Sequence, residues 1–387
     1  MPFAFKNAGL LVGTIGTIII AAICTHCVYV LVASAHELCV RSGKAKLTYA
    51  DVAEQACLRG PPCCYKYHQV ARKIVNVGIF TTYFTVCCLY VVVVALSIRQ
   101  FVIYYYSSVD PRICIAVLFI PFLLLSYVPN LKYLTPVCIM ANVFMGSALG
   151  ITMYYLVTDL PSIDQAELVA DVSTYPIFFC STVFALQAIG CVMPLENNMK
   201  NPKRLITPFG VLNQAMVIIT VLHILLGFLG YLRYGDTTEA SIILNLPINH
   251  ILARIAQLLI GFSVFGAFGI QFFICLQIAW DSIKHRYKDN PTLANYLLRT
   301  VMVALAVTVA LLAPNIEALA SLIGAFFFSI TGIMIPIFIE MITFWEKGFG
   351  RYNWILVKSM FILIVGSLAL ILGTKDSIIA IIDLYQT

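Results

Sequence analysis

Apolar runs long enough to cross a lipid bilayer dominate this 387-residue chain. A helix of about 20 apolar residues spans the hydrocarbon core of a membrane. The chain is 61% hydrophobic and 11% charged, whereas soluble domains carry about 25% charged residues. We therefore predict an all-α polytopic membrane protein with a single transmembrane domain over residues 1–387. The predicted spans are 9–35, 74–97, 113–128, 133–157, 175–195, 209–232, 251–280, 298–313, 317–342 and 354–373.

Lysines and arginines alternate between the loops on the two sides of these spans. The loops after odd-numbered spans hold 18 of the 24 Lys/Arg, and the loops on the other side hold 5. Cytoplasmic loops of membrane proteins are enriched in Lys and Arg. We therefore predict that the 18-rich side is cytoplasmic, and that both ends of the chain lie on the opposite side.

The fifth span contains the strongest interruption in the chain. Gln187 is followed by Gly190 and Pro194, and then by Glu196. One interpretation is an ordinary helix with a Gly/Pro kink, which membrane helices tolerate. The other is a broken helix, which is stable at this depth only where protein or a water-filled cavity covers the free backbone groups. Glu196 is expected to cap the helix or to pair with Lys200.

Two histidines lie inside predicted spans. His26 is well inside the first span and could carry a proton, because imidazole titrates near neutral pH. It could equally be a neutral histidine that hydrogen-bonds to a neighbouring helix. We expect His223, in the sixth span, to be structural. Glycine pairs at helical spacing, Gly9/Gly13 and Gly146/Gly150, predict close helix packing.

Most of the 13 cysteines lie inside spans, where a thiol behaves as a small apolar group. Three others lie on a basic loop: Cys57, Cys63 and Cys64. Palmitoylation or metal binding would be alternatives there, but we expect plain reduced thiols. The sequence has no HExxH, GxSxG or phosphate-binding loop. We therefore predict no enzyme and no ATP-driven pump, and we expect no cofactor, metal or nucleic-acid partner.

Four stretches resemble the amino acid/auxin permease family, in its proton-coupled amino acid transporter branch. They are MPFAFKNAGL at 1–10, HCVYVLVASAHELC at 26–39, FALQAIGCVMPLENNM at 184–199 and GYLRYGDTTEASIILNLP at 230–247. The resemblance implies a LeuT-like fold of eleven spans with two inverted five-helix repeats. Residues 9–157 would form the rest of the first repeat, 175–342 the second and 354–373 an additional span. We expect most of the first helix to be missing upstream.

The resemblance also implies a function, which is secondary active transport of small neutral amino acids, coupled to protons, across the plasma membrane or a lysosomal/vacuolar membrane. His26 matches the family histidine linked to proton coupling. Gln187 stands where family members commonly have Glu. The alternatives are a non-transporting amino-acid sensor and an inactive truncated form of such a transporter. The substrate-binding residues implied by the broken helix are Phe184, Gln187, Ala188, Ile189 and Gly190.

Overall fold

A computed structural model describes residues 1–387 except 106–108, 130, 159, 162–165, 188, 240, 248, 288–289, 313–314, 347 and 387. All the regular secondary structure of the described residues is helical. The α-helices are α1 Pro2–Lys6, α2 Leu10–Ser42, α3 Tyr49–Leu58, α4 Pro62–Tyr65, α5 His68–Tyr105, α6 Pro111–Val117, α7 Phe119–Ser126, α8 Leu131–Val157, α9 Tyr175–Leu186, α10 Ile189–Asn198, α11 Val211–Tyr234, α12 Ile251–Ile283, α13 Pro291–Leu312, α14 Ile316–Leu322, α15 Ile335–Thr343, α16 Trp354–Leu368 and α17 Thr374–Gln386.

Two π-helices, with their wider turns, interrupt the last two spans. Ile323–Met334 joins α14 to α15, and Ala369–Gly373 joins α16 to α17. Short 3₁₀-helices cover Val172–Thr174, Pro202–Leu205, Gly235–Thr237, Ile242–Asn245 and Arg351–Asn353.

The predicted membrane segments coincide with the apolar helices. Within the described ranges, nine helices are long and apolar enough to cross a membrane, and they match nine of the ten predicted spans. The third predicted span corresponds to Pro111–Ser126, which is shorter than those nine helices and is divided at Leu118 into α6 and α7. The eighth span is longer than predicted, because α13 begins at Pro291, a residue suited to the first turn of a helix. The all-α polytopic architecture is confirmed.

The ends of α2 and α3 follow from local sequence signals. α2 stops at Gly43, whose φ of +67° is a left-handed conformation that glycine adopts without strain. Thr48 then begins α3 with a capping box: its side chain accepts from the Asp51 N–H, and the Asp51 carboxylate accepts from the Thr48 N–H at 3.1 Å. These signals separate the first long span from α3, a short helix that the charge pattern assigns to the cytoplasmic side.

Hydrogen bonds between loops agree with the predicted sidedness. Lys6 Nζ donates to the Asp236 carbonyl at 2.7 Å, and Thr174 Oγ1 donates to the Asn7 carbonyl at 2.7 Å. All four residues belong to loops predicted to be non-cytoplasmic. On the other side, Asn197 Nδ2 donates to the Leu47 carbonyl at 2.9 Å. The structure thus brings together loops that the charge pattern assigns to the same side.

The two glycine pairs differ in their surroundings. A methyl group at Gly9 or Gly13 would collide with the backbone at Leu168 or with the Phe5 ring, as close packing requires. At Gly146 and Gly150 nothing lies within 4 Å, so the prediction that this pair packs a helix interface is wrong within the described structure. Gly146 and Gly150 are exposed on α8, whereas Gly9 and Gly13 are buried.

Candidate functional site

The fifth span is broken rather than kinked. α9 ends at Leu186, Gln187 has an extended backbone (φ −85°, ψ 122°), and α10 begins at Ile189. The Gln187 N–H donates to the Val183 carbonyl at 3.0 Å, which completes the last turn of α9. Pro194 lies inside α10 and is not the point of interruption. The broken-helix interpretation therefore describes this segment.

At Gly190, in the first turn of α10, a tyrosine ring occupies the space that a side chain would need. Tyr83, on α5, is 3% exposed, and its hydroxyl accepts the Gly190 N–H at 2.8 Å. A Cβ at Gly190 would overlap the Tyr83 ring and hydroxyl. The contact joins α5 to the first turn of α10 and satisfies one of the N–H groups that a helix start leaves free.

The Gln187 side chain packs into the π-helix. Its Nε2 atom lies 3.9 Å from Cys24 Sγ on α2, and its amide fills the space beside Gly332 that a methyl group would need. The Gln187 Oε1 atom is buried and accepts no hydrogen bond from the described residues. A buried acceptor without a donor destabilises the protein by about 1–3 kcal/mol, so a bound partner for Oε1 would be favourable.

Aromatic rings surround the break on the side of α5 and the π-helix. Phe184, half-buried in the last turn of α9, lies 6.3 Å from the Phe328 ring. Phe328 also meets Tyr83 edge to face, with 6.4 Å between ring centroids. Ile189 is buried, with 1% of its surface exposed. Ala188, the remaining predicted contact residue, lies outside the described residues.

His26 lies on α2 and is half-buried. Its ring stacks on Tyr29 with 6.2 Å between centroids, and its Nε2 atom is buried without a hydrogen-bond partner among the described residues. His26 Nε2 therefore does not make the hydrogen bond to a neighbouring helix that one interpretation of this histidine predicts. Two charged side chains, Glu340 and Lys358, lie close enough to act on the His26 ring electrostatically.

Those two residues form an ion pair within the membrane segments. Lys358 Nζ lies 2.8 Å from Glu340 Oε1, and Ser359 Oγ donates to Glu340 Oε2 at 3.2 Å. Glu340 is 6% exposed, so its charge is almost removed from solvent. Charged side chains are costly at membrane depth and are usually paired when they occur. The pair joins α15, which continues the π-helix, to α16.

Glu196 has a different partner from the one predicted. Its Oε1 atom lies 2.9 Å from His36 Nε2, and no ion pair with Lys200 occurs among the described residues. The expected Glu196–Lys200 pairing is wrong, because α10 directs this buried carboxylate toward α2, whereas Lys200 is exposed. The contact connects the second half of the broken helix to the C-terminal part of α2.

The loop cysteines have unequal environments. Cys57 is buried in α3, and burial raises the pKa of its thiol. Cys63 is exposed, and its sulfur lies 3.9 Å from that of Cys64. Burial raises the pKa of the Cys64 thiol as well, with a smaller contribution from its contact with Cys63. No three His, Cys, Asp or Glu side chains converge as metal ligands in the part of the chain that the structure describes.

Comparison with known proteins identifies the family. The family described as "Transmembrane amino acid transporter protein" matches residues 1–379. The chain belongs to this family. The family member "Proton-coupled amino acid transporter-like protein pathetic" of Drosophila melanogaster is 49% identical over 387 residues, which are 100% of this chain and 82% of that protein. The "Probable amino acid transporter skat-1" of Caenorhabditis elegans is 23% identical and matches 100% of this chain and 87% of that protein.

A crystal structure of MhsT in complex with L-phenylalanine is also similar, with a TM-score of 0.49 and 12% identity. It covers 100% of this chain and 93% of that chain. The sequence and family together establish a multi-pass membrane protein of an amino acid transporter family, and the similar proteins are transporters rather than enzymes.

Sequence reasoning missed two parts of the site. Tyr83 and Gly332 carry no signal, since each lies in a long apolar run that reads as lipid-facing or core helix. Glu340 and Lys358 do carry a sequence signal, because each is an ionisable residue inside a predicted span, where such residues are rare. Pairing them from the sequence alone would have required knowing that α15 packs against α16.

Proposed function

We propose that this family member is a secondary active transporter of small neutral amino acids, coupled to protons. The observation that carries the proposal is the break at Gln187, with its buried carboxamide oxygen, next to a π-helix. Transporters with discontinuous helices bind their solutes at such interruptions near the middle of the membrane. The inverted-repeat arrangement implied by the resemblance, with 9–157 and 175–342 as its halves, is part of the same proposal.

The two half-helices favour a zwitterion. The C-terminal end of a helix carries partial negative charge, and the N-terminal end carries partial positive charge. At the break, the C-terminal end of α9 and the N-terminal end of α10 are adjacent. The α-ammonium and α-carboxylate groups of an amino acid match this pair of opposite ends, whereas a simple anion or cation matches only one.

The side chains around the break favour a small, uncharged substrate side chain. Phe184, Phe328 and Tyr83 are aromatic, and Gln187 is polar but uncharged. A charged substrate side chain in these surroundings would lose hydration without gaining a counter-charge. Tyr83 packs directly on Gly190, which leaves little room for a bulky one.

His26 is the candidate for proton coupling. Imidazole changes charge near neutral pH, and the His26 ring lies near the charges of Glu340 and Lys358. A proton bound at His26 would alter the charge balance on α2, which also holds Cys24 against Gln187. The helix that carries His26 therefore also contacts the proposed substrate site, through Cys24 and Gln187.

Uptake by purified protein in proteoliposomes tests the proposal. We expect glycine, alanine or proline to accumulate when the outside is acidic, and we expect a protonophore to abolish the accumulation. In His26→Gln, uptake down an amino-acid gradient should persist, while stimulation by the pH gradient should disappear. Accumulation that is indifferent to pH would reject proton coupling. Ligand binding without any flux would support the sensor alternative.

A further inference from the structure

A groove opens between the cytoplasmic half of α5 and the π-helix, with a volume of about 380 Å³. On α5 it is lined by Ile74, Val77 and Thr81, whose spacing of three and four residues places them on one helix face. Phe326, Phe327 and Ile330 of the π-helix line the opposite wall. Val77 is 64% exposed and Phe326 41%, so the groove is open toward the surroundings of the spans.

The groove is chemically apolar although it contains two threonines. Thr81 Oγ1 donates to the Val77 carbonyl at 2.7 Å, and Thr331 Oγ1 donates to the Phe327 carbonyl at 2.7 Å. Both hydroxyls are therefore satisfied within their own helices. A polar solute would lose hydration here without replacement, whereas a hydrocarbon chain would not.

One cation stands at the cytoplasmic end of this apolar surface. Lys73 lines the groove, is exposed, and makes no ion pair among the described residues. Its neighbour Arg72 is engaged differently, with Asp51 at 3.1 Å and Glu54 at 2.8 Å. Lys73 immediately precedes the predicted span 74–97, at the level of the lipid headgroups. The anionic lipids of the cytoplasmic leaflet attract such basic residues.

We propose that the groove binds one acyl chain of an anionic phospholipid from the cytoplasmic leaflet, with the lipid phosphate on Lys73. The apolar walls select a hydrocarbon chain, and the single ammonium group selects a negative headgroup. The proposal concerns binding and does not depend on transport.

The site would communicate with the broken helix through the π-helix. Thr331 lines the groove, and the next residue, Gly332, packs on the Gln187 amide. The Thr331 carbonyl also accepts a hydrogen bond from the Tyr49 hydroxyl at 2.7 Å. An acyl chain in the groove would therefore restrain the segment on which Gln187 rests. This consequence, unlike the binding, rests on the proposed function.

Thermal unfolding of the detergent-purified protein tests the binding. Added phosphatidylserine should raise the melting temperature by about 3 °C, and phosphatidylcholine with the same acyl chains should not. In Lys73→Gln the phosphatidylserine shift should be lost. Val77→Trp, which fills the groove, should also lose it. Lys66→Gln removes an exposed lysine outside the groove and should keep the full shift.

Three results would overturn the proposal. The first is an equal shift with both phospholipids, which would remove the role of the headgroup charge. The second is a full shift in Lys73→Gln, and the third is the same shift with glycerol 3-phosphate, which has no acyl chain. If Val77→Trp does not fold, the comparison of Lys73→Gln with Lys66→Gln decides the matter. None of these measurements uses transport, so the failure of either proposal is recognisable separately.

Discussion

Two neighbouring segments of this protein depart from the regular α-helix in different ways. The α9–α10 segment stops and restarts, leaving Gln187 extended, whereas Ile323–Met334 keeps a continuous helical backbone with wider turns. At Gly190 the break packs against the buried ring and hydroxyl of Tyr83, which occupy the space of a side chain. The π-helix instead meets Gln187 through the end of a flexible side chain. A methyl group added at Gly190 must therefore displace a buried ring, whereas one added at Gly332 meets the end of a side chain that can rotate.

The largest effect is expected where the π-helix continues into α15. Glu340→Gln should destabilise the protein by about 3 kcal/mol, because Lys358 would remain largely buried without its counter-charge. Thermal unfolding in detergent measures this loss. The double variant Glu340→Gln/Lys358→Met should recover most of it, since both charges are then absent. A double variant as unstable as the single one would mean that the pair is not what fixes α15.

The second effect concerns Gly190, next to the break between α9 and α10. Gly190→Ala should destabilise the protein by about 1–3 kcal/mol and strongly reduce uptake, because the added methyl group must displace the Tyr83 ring. Gly146→Ala is the matched control: nothing lies within 4 Å of it, and alanine is the better helix former. Its melting temperature should stay the same or rise. Equal behaviour of the two variants would contradict the close packing at the break.

A third variant tests the hydrogen bond between α3 and the π-helix. Tyr49→Phe removes the hydroxyl that donates to the Thr331 carbonyl, and should reduce the free energy of unfolding by about 0.5–1.5 kcal/mol at neutral pH. Burial raises the pKa of Tyr49 well above its usual range. In the unfolded chain a tyrosine ionises near pH 10. As the pH rises above about 10, the unfolded state loses this proton while the folded state keeps it, so stability falls.

Tyr49→Phe should therefore lose less stability than the native protein between pH 9 and pH 11. Thermal midpoints at several pH values, with the native protein measured in parallel, give this difference directly. Parallel curves would show that Tyr49 ionises equally in both states.

The smallest effect on stability is expected for Gly332→Ala, and this variant should distinguish the π-helix most clearly from the break between α9 and α10. In Gly332→Ala the new methyl group meets the Gln187 amide, which can rotate away, and the better helix propensity of alanine offsets part of the strain. We expect the melting temperature to change little while amino-acid uptake falls at least tenfold. Unchanged uptake would mean that the position of Gln187 against the π-helix is irrelevant to transport.

The fold could be predicted from the sequence because long apolar runs indicate membrane-spanning helices. Within residues 175–195, Gln187, Gly190 and Pro194 indicated an irregularity but left a kink and a break as alternatives. Phe184 and Ile189 lie beside the break, and their role in substrate binding stays a prediction. Pro194 was a misleading signal: it sits inside α10, where it interrupts nothing.

The remaining features depend on contacts between distant residues. His36 and Glu196 are 160 residues apart, and Tyr83 and Gly190 are 107 apart. The π-helix has no local signature either, because its residues are ordinary apolar and small ones whose widened turns are stabilised by packing against α9 and α5. One-dimensional patterns report burial and helix length, whereas these partners are set by how the helices pack.

The His36–Glu196 contact makes α10 a short lever. From Ile189 to Glu196 the helix is about 10 Å long, at a rise of ~1.5 Å per residue. A tilt of about 5° around the break would move Glu196 by ~1 Å, enough to carry the 2.9 Å contact beyond hydrogen-bonding distance. The extended backbone of Gln187 separates α10 from α9, so such a tilt need not move α9. Under the proposed function, a rotation of this size would release α10 from α2 at one end of the proposed pathway without a matching movement of α9.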